Sequence, residues 1–489
     1  MATVNPEIDH LLRRAGFGVS AADADIYRDM SHARAVDYLV DYEGRPDDVD
    51  ERIGRPDHAL VATKDLFAPD IDIDDARQRW IFRMIHTRRP LQEKMAMFWH
   101  NHFATAYTKL AVDSGERQAA KMLAHKPGTL RGPQGQIELF RQYAMGNFRD
   151  LLIHVAQDPA MLIWLDGKSN FKARPQENFG REIIELFTIG VDNYIESDVY
   201  AAARVFTGWN LRGSDDYRKD EYGDLNAYQE FVYNADQHDT GDKTFSFPIY
   251  SSGSRTIASR SESAGMQDGI DLITALAVHP ETGRRLARKF WNFFISEIHS
   301  PDPAFVESVS AVYLQSRTEI RPVIRYILTS PWFTSSAMHF ARYSWPAEYV
   351  VRSIREVGWQ NFSIDRARSP LAAMGQQLYE PPNVGGWPIG ASWFSTGTML
   401  ARTNFAATLA TSQKPFLAAS LVGESETPQD LVDAMLQRMT PAPLDSGPRQ
   451  ALMSYLAAAG SWTGTGEQLN TRAAGLARLL AGSAEYQLV

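Results

Sequence analysis

The sequence contains no cysteine among its 489 residues. This absence excludes disulfide bonds, cysteine-ligated metal centres and thiol nucleophiles. Long apolar runs are also missing: no stretch approaches about 18 uninterrupted apolar residues, so no membrane span is expected. The stretch from Met1 to Phe17 has no apolar signal-peptide segment. We therefore expect a cytoplasmic protein, or one that becomes periplasmic or secreted by co-export with a partner or after processing.

Positive charge is in deficit. Lysine and arginine number 50 against 59 acidic residues, which gives a formal net charge of −9. A broad nucleic-acid-binding surface is therefore not expected. Hydrophobic residues make up 44% and charged residues 22% of the chain, the balance of a globular protein with a large core.

Most of the chain has the apolar spacing of amphipathic helices, and we expect a mainly α fold. One segment, 209–252, instead alternates at Phe231–Tyr233 and Phe245–Phe247, which predicts a β-hairpin or two short strands. We expect a multi-helical domain over 1–412 with this β excursion, and a C-terminal helical bundle over 428–489 packed on it, or one single domain. The predicted helical segments include 74–87, 90–107, 136–157, 178–189, 281–297, 345–357 and 469–483.

Residues 176–190 are the most informative stretch of the sequence, because Asn178, Glu182 and Glu185 fall on one predicted helix face with Arg181 beside them. Glu182 and Glu185 share that face at a spacing that brings neighbouring Cβ atoms to about 5–6 Å. Such a pair can do acid–base chemistry, bind a cation or lie in solvent as an ordinary charged face. A polar loop leads into the N-terminus of this helix, where the helix dipole favours an anion. The polar candidates for substrate binding here are Asp166, Asn170, Asn178 and Arg181.

Two histidines lie on the predicted helix 90–107. His100 and His102 are two residues apart and so point in nearly opposite directions, which makes joint binding of one metal difficult on a continuous helix. His102 falls within the apolar face and His100 on the opposite side. Each is either a hydrogen-bonded core histidine or a histidine that lines a binding site.

The β excursion carries a turn-rich loop with three chemically useful groups. His238 offers a base, the adjacent Asp239 a carboxylate, and Lys243 a cation. Loops carry functional residues disproportionately often, although aspartate and glycine are also the ordinary residues of turns. His238 and Asp239 are therefore a second candidate catalytic pair.

A proline- and glycine-rich loop spans residues 379–394. Its composition fixes the backbone, and Trp387 and Trp393 offer flat apolar surfaces of the kind that stack on sugars or aromatic ligands. Asn383 and Arg402 could add polar contacts. The alternative is a rigid plug that packs over the helical core.

These segments together resemble, in order and spacing, a bacterial family known as domain of unknown function 1800. The resemblance extends from about residue 8 to the C-terminus, and one departure is Gln176, where the family more often has asparagine. It implies an unassigned activity, frequent export, and a neighbouring gene for a phosphatase- or sulfatase-like protein with a twin-arginine signal. The motifs that carry the resemblance are His10–Gly18, Phe98–Phe103, Glu177–Phe187, Gly208-Trp209, His238-Asp239 with Lys243, and Pro381–Trp387.

Our first functional hypothesis is an enzyme, of hydrolase or lyase type, that acts on a glycan or another polar substrate of the cell envelope. Glu182 and Glu185 are its candidate acid and base, and His238 with Asp239 the rival pair. In this hypothesis the two loop tryptophans hold the sugar.

Two other functions remain open. One is a metal-dependent enzyme with a single divalent ion held by His102 or His238 together with Glu182, Glu185 or Asp239. The other is a non-catalytic binding or assembly partner of the exported phosphatase- or sulfatase-like protein. Convergence of the two glutamates with both histidines on one pocket would favour catalysis, whereas solvent-facing glutamates and a sealed His102 would favour binding.

Overall fold

The computed structural model describes residues 4–214, 227–440, 446–458 and 460–489. Within these residues the chain forms 24 α-helices and two small antiparallel sheets of two strands each. The predicted mainly α fold is therefore confirmed. No helix of this described part is long and apolar enough to cross a lipid bilayer.

The first twelve helices precede the β excursion. Seven of these helices start at a side chain that accepts a hydrogen bond from a free backbone N–H group, as in the reciprocal pair formed by Ser20 and Asp23. The helices are α1 Pro6–Arg14, α2 Ala21–Tyr27, α3 His32–Val40, α4 Ile73–His86, α5 Pro90–His102, α6 Tyr107–Ser114, α7 Glu116–Ala124, α8 Gln136–Gln142, α9 Phe148–Ala156, α10 Pro159–Trp164, α11 Glu177–Glu185 and α12 Glu196–Val205.

The other twelve helices follow the excursion. One of them, α14, continues directly into a π-helical turn, Trp291–Ile295. The helices are α13 Met266–Ala277, α14 Pro280–Phe290, α15 Pro303–Gln315, α16 Ile320–Thr329, α17 Pro331–Thr334, α18 Pro346–Val357, α19 Asp365–Ala373, α20 Thr396–Ser412, α21 Lys414–Ala419, α22 Pro428–Met439, α23 Ser446–Ala458 and α24 Gly466–Ala481.

The predicted β excursion is present. Strand β1, Trp209–Gly213, pairs with β2, Gln229–Tyr233, in antiparallel register that places Trp209 opposite Tyr233. A second, shorter pair joins β3, Lys243–Thr244, to β4, Thr256–Ile257, just beyond the predicted limit. Part of the predicted segment, 215–226, lies outside the described residues.

One cluster of buried apolar side chains extends from Ile8 to Tyr486 and so includes residues of both predicted regions. The end of the chain is also tied to α18, since the Tyr486 hydroxyl donates a 2.7 Å hydrogen bond to Glu356. The boundary between residues 1–412 and 428–489 as separate folding units stays a prediction.

Buried ion pairs hold α5 in place. Glu93, fully buried, accepts hydrogen bonds from Arg83 at 2.6 Å and from Arg141 at 2.9 Å. The next residue, Lys94, pairs with the buried Glu348 of α18. Charge-assisted hydrogen bonds have a defined geometry, and a break in one would leave a costly unpaired charge inside the core. They therefore fix the orientation of the helix whose last turn carries His100 and His102.

Candidate functional site

A pocket of about 290 Å³ opens where the end of α5, the junction of α14 with the π-helical turn, and the loop 379–394 meet. We call it the Lys289 pocket. Its lining combines aromatic side chains with a few polar ones, which is the usual composition of a small-molecule site. The lining residues that matter below are Asn101, His102, Lys289, Asn292, Trp345 and Trp387.

Lys289 and His102 form a hydrogen-bonded pair in this pocket. The Nδ1 atom of His102 lies 2.8 Å from Lys289 Nζ, and its Nε2 atom lies 3.1 Å from the carbonyl oxygen of Phe187. A carbonyl can only accept, so Nε2 carries the proton and Nδ1 is left with its lone pair toward the lysine. The tautomer of His102 is thus set by the end of α11.

The pKa values of Lys289 and His102 are both lowered, which favours the neutral form of each side chain. Burial lowers the pKa of Lys289 to about 7, and the nearby charge of Arg285 acts in the same direction. Burial also holds the pKa of His102 well below its usual value, with further contributions from Lys289 and Arg285. A substantial fraction of Lys289 is therefore an uncharged amine at neutral pH.

The sequence motif 177–187 contributes its backbone to this site. Helix α11 ends beside the pair, and the carbonyl of Leu186 accepts a 3.2 Å hydrogen bond from Arg285 just as that of Phe187 accepts one from His102. The turn closes at Gly190, which has φ of +83° and donates to Ile184. Free carbonyls at a helix C-terminus attract donors and cations.

Glu182 and Glu185 lie on the half-buried face of α11 and do not line the Lys289 pocket. The Tyr194 hydroxyl donates to Glu185, and Glu185 in turn interacts electrostatically with Arg285. Burial raises the pKa of Glu182, and the charge of Glu185 raises it further. Glu185 is therefore linked to the pocket only through Arg285, Glu182 only through Glu185, and neither carboxylate lines the cavity.

Three of the polar candidates near α11 pair with each other or with neighbours at the surface. Asn178 donates a 2.9 Å hydrogen bond to Asp166, which has a left-handed backbone with φ of 60°. Arg181 forms an ion pair with Glu196 and lies 3.5 Å from Glu177. These contacts stabilise the loop and helix entry, and none of the three side chains lines the Lys289 pocket.

Asn170 is buried, and its side chain is hydrogen-bonded to two other segments of the backbone. Its amide group donates to the carbonyl of Ala203 at 2.8 Å, and its oxygen accepts from the backbone N–H of Gln176 at 2.9 Å. Gln176, where the sequence departs from the family pattern, accepts from the N–H of Glu177 as the cap of α11. Asn170 therefore positions the start of that helix against α12.

His238 and Asp239 are adjacent in sequence but belong to different ion clusters. His238, Lys243 and Asp268 are all fully buried, with Lys243 Nζ at 2.6 Å and His238 Nε2 at 3.2 Å from the Asp268 carboxylate. Asp239 instead accepts two 2.8 Å hydrogen bonds from Arg204. The structure brings His238 and Lys243 together, but in the core beneath the β excursion and apart from the Lys289 pocket.

The proline- and glycine-rich loop reaches the pocket through Trp387. The backbone N–H of Trp387 donates a 2.6 Å hydrogen bond to the side-chain oxygen of Asn101 on α5. Gly386, with φ of +89°, packs so closely on Asn101 that a Cβ atom would collide with it. Further along, the N–H of Gly390 donates to Glu297 at 3.1 Å. The loop is thus tied at both ends of the pocket wall.

Trp393, near the end of the loop, and Arg402 on α20 are both packed in the protein interior. Trp393 is buried with its ring centroid 5.9 Å from that of Trp345. Arg402 is fully buried, donates to the carbonyl of Ser344 at 2.9 Å and lies over the Tyr349 ring. Neither side chain lines the pocket.

His100 and Asn383 also lie apart from the pocket wall. His100 is buried beside Trp387, with ring centroids 5.2 Å apart, and burial lowers its pKa to about 3. It supports the back of the indole that faces the pocket. Asn383 is exposed and accepts the N–H of Gly385 at 2.8 Å, which closes a turn of the loop.

Sequence reasoning missed four residues of this site: Lys289, Asn101, Asn292 and Trp345. Lys289 is one of several cations on α14 and has no motif around it. Its one local signal is position, because it follows the buried Leu286 by three residues and so borders the apolar face of the helix. Its partner is 187 residues away in the sequence, and no local pattern reveals that contact.

In the described residues no group of three or more histidine, aspartate or glutamate side chains could hold a metal ion. Both ring nitrogens of His102 have hydrogen-bond partners, and His238 lies within a network that already contains Lys243. The metal-dependent alternative therefore has no ligand set in this part of the chain.

Fold and site together define a mainly α protein with a lysine–histidine pair at the wall of a small pocket built from distant segments. Residues 10–488 match the family described as "Protein of unknown function (DUF1800)". The chain belongs to this family, which confirms the resemblance of its motifs. No curated protein and no solved structure matches the chain.

Proposed function

We propose that the protein is an enzyme of hydrolase or lyase type that transfers protons to and from a small polar substrate, such as a sugar unit of a glycan, in the Lys289 pocket. The observation that carries this proposal is the 2.8 Å contact between Lys289 Nζ and the unprotonated Nδ1 of His102 at the pocket wall. No other pair of titratable side chains among those described lines this pocket.

The pair has the properties of a general acid and base. A group transfers protons most efficiently when its pKa lies near the working pH, and the pKa of Lys289 is about 7. His102 accepts from Lys289 and is held by Phe187, so it orients the amine toward the cavity. Proton transfer by one positioned group typically contributes about 10²–10⁴-fold to a rate.

The shape of the pocket supports a small ligand or one ring of a longer one. Its volume of about 290 Å³ lies at the lower end of the range for ligand sites. Trp345 and Trp387 supply an apolar wall that suits the face of a sugar ring, and Asn101 and Asn292 supply amide groups for hydroxyls. This combination supports the polar, glycan-type substrate expected from the sequence.

A matched pair of variants tests the proposal. Glycan fragments and sugar derivatives are incubated with the native protein, and products are identified by mass spectrometry. We expect the product to be lost by at least about 100-fold in Lys289→Met and to be retained in Lys172→Met, which removes an exposed lysine paired with Glu262. A turnover that survives Lys289→Met unchanged would refute the role of the pair.

The same product assay tests the candidate catalytic carboxylates. Glu182→Gln and Glu185→Gln test the sequence hypothesis that these residues are acid and base, and the Asp239→Asn variant tests the rival pair. Because neither glutamate lines the pocket, we expect a smaller loss in both than in Lys289→Met. A larger loss of product in Glu182→Gln than in Lys289→Met would indicate that the catalytic residue lies on α11.

From the family resemblance we also propose export together with a phosphatase- or sulfatase-like partner. The test compares cell fractions with and without the partner gene. The protein should be found in the envelope fraction only when the partner is present. An envelope fraction that contains the partner but lacks this protein would count against co-export.

A further inference from the structure

We infer that Lys289 is a covalent site, whose amine forms an imine with the carbonyl carbon of a small aldehyde or ketone bound in the Lys289 pocket. The open-chain form of a sugar is one such compound. This inference rests on the proposed function and narrows its substrate to carbonyl compounds.

Two lysines elsewhere in the described chain, Lys94 and Lys243, are fully buried and paired with carboxylates. Lys94 is bound by Glu348 and Lys243 by Asp268, so each ammonium is neutralised in the core. Lys289 has no carboxylate partner among the described residues, and its one hydrogen bond is to His102. Lys289 is half-buried at the cavity wall. An ammonium that is partly removed from water and has no counter-charge is costly, which favours the uncharged, nucleophilic form of the amine.

The orientation of the amine suits attack on a ligand. With Nδ1 of His102 as acceptor, a neutral Lys289 donates one N–H to the imidazole and keeps its lone pair free. Lys289 also lines the cavity itself. The positive charge of Arg285, which lies on the same helix face one turn away, disfavours the protonated form of Lys289. The lowered pKa of Lys289 agrees with this geometry.

The chemical step balances with the groups present. The lone pair of Lys289 attacks the carbonyl carbon, a C–N bond forms, and the carbonyl π electrons move to the oxygen. A proton leaves the nitrogen for Nδ1 of His102 and reaches that oxygen, which gives a carbinolamine. His102, reprotonated from solvent at Nδ1, gives a proton to the hydroxyl, which leaves as water while the nitrogen lone pair forms the C=N double bond. The resulting iminium nitrogen returns its proton to Nδ1 and becomes the neutral imine. No oxidant or reductant is needed.

The developing oxygen has donors within the same cavity. The side-chain oxygen of Asn101 is occupied by the N–H of Trp387, which leaves the NH₂ group of Asn101 as a donor. Asn292 lines the pocket from the π-helical turn, and among the described residues its side chain has no hydrogen-bond partner. Amide donors directed at a carbonyl oxygen stabilise the negative charge that builds up there.

Reductive trapping tests the inference. The full-length protein is incubated at pH 7 with glyceraldehyde or pyruvate plus sodium cyanoborohydride, and the adduct is located by peptide mass spectrometry. We expect modification at Lys289 that saturates with probe concentration and exceeds that at the exposed Lys172 by at least about tenfold. Adduct at Lys289 no greater than at Lys172 would overturn the inference.

Two variants guard against misfolding and side reactions. Lys289→Arg keeps the positive charge but cannot form an imine, so the saturable adduct should vanish while circular dichroism is unchanged. His102→Gln retains a donor for the Phe187 carbonyl but removes the basic nitrogen, so trapping at Lys289 should slow at least about tenfold. Unchanged trapping in His102→Gln would remove His102 from the step.

A second readout separates this inference from the proposed function. The rate at which acetic anhydride acylates Lys289 is measured from pH 5 to 11. A midpoint near 7 without imine trapping would refute the covalent step and leave proton transfer standing. A midpoint equal to that of the exposed lysines, again without trapping, would refute both.

Discussion

The side-chain oxygen of Asn101 accepts a 2.6 Å hydrogen bond from the backbone N–H of Trp387 and so joins the last turn of α5 to the proline- and glycine-rich loop. The contact links two sequence motifs that lie 286 residues apart. It also sets the pocket wall, because Trp387 and Asn101 both face the cavity. The glycine that precedes Trp387 is what allows so close an approach.

Gly386→Ala should destabilise the protein more than Gly390→Ala. Both glycines have positive φ, so either alanine incurs backbone strain of about 1–2 kcal/mol. Only at Gly386 does the added Cβ also meet Asn101, since nothing lies within 4 Å of a Cβ at Gly390. Thermal unfolding of the two variants makes the comparison. Equal losses would mean that the loop moves freely away from α5.

Lys289→Met should change how stability depends on pH. The unfolded chain has a lysine pKa of 10.5 and the folded protein one of about 7, so between these values the unfolded state binds more protons. Stability of the native protein therefore rises with pH across this window, by at most about 1.4 kcal/mol per unit from this group. Methionine does not titrate, so Lys289→Met lacks this pH dependence. The free energy of unfolding of the variant should therefore exceed that of the native protein most near pH 7, and the difference should shrink toward pH 10.5.

Denaturant titrations at several pH values measure this difference. Lys172→Met is the control, because it removes an exposed lysine that pairs with Glu262 at the surface. Parallel stability curves for native protein and Lys289→Met between pH 7 and 10 would show that Lys289 is an ordinary charged lysine in the folded state.

Glu182→Gln should stabilise the protein slightly at neutral pH. The pKa of Glu182 is raised by burial and by Glu185, so between its unfolded value of 4.5 and the raised value the folded state binds more protons. The contribution of Glu182 to stability thus falls as pH rises. Glu182→Gln should raise the free energy of unfolding by less than about 1 kcal/mol at pH 7 and leave it unchanged at pH 4.

The control for this variant lies on the same helix. Glu177 occupies the first turn of α11, where the helix dipole favours its charge, and lies 3.5 Å from Arg181. Glu177→Gln should therefore cost a few tenths of a kcal/mol at pH 7. Equal effects of the same sign in both variants would contradict the half-buried environment of Glu182.

Asp268→Asn should be severely destabilising. Its carboxylate holds Lys243 at 2.6 Å and Arg260 at 2.7 Å. Arg260 keeps its second partner, Asp271, but loss of the charge leaves the fully buried Lys243 without a carboxylate at the base of the β excursion. Removal of one partner from a buried pair costs about 3–5 kcal/mol. The exposed pair of Lys172 with Glu262 is the reference, and Glu262→Gln should cost about 0–1 kcal/mol in the same unfolding experiment.

Much of the helical architecture could be predicted from the sequence, because amphipathic spacing is a local property. The predicted segment 345–357 is α18 within one residue. The predicted continuous helix over 136–157 is instead two helices, since Asn147 accepts the N–H of Asp150 and starts a new one. Helix α20 was not predicted, and its buried face includes the charged Arg402, which hides the apolar pattern.

The site could be predicted only in part. His102 and Trp387 lie in recognisable motifs and both line the pocket. Glu182 was predicted to be a catalytic residue from helix geometry alone, and helix geometry does not say which neighbour a face meets. Lys289 owes its character to burial and to partners on other helices, so its chemistry is a tertiary property that no local pattern contains.

The pocket is closed by parts of the chain that are synthesised far apart, from Phe98 to Ile389. Contacts of such long sequence separation form late in folding, because loop-closure entropy must be overcome before they are made. On the ribosome and in early intermediates Lys289 is therefore solvated like any lysine. The amine gains its unusual character only when the last segments dock, and so a newly made chain carries no reactive group until its structure is complete.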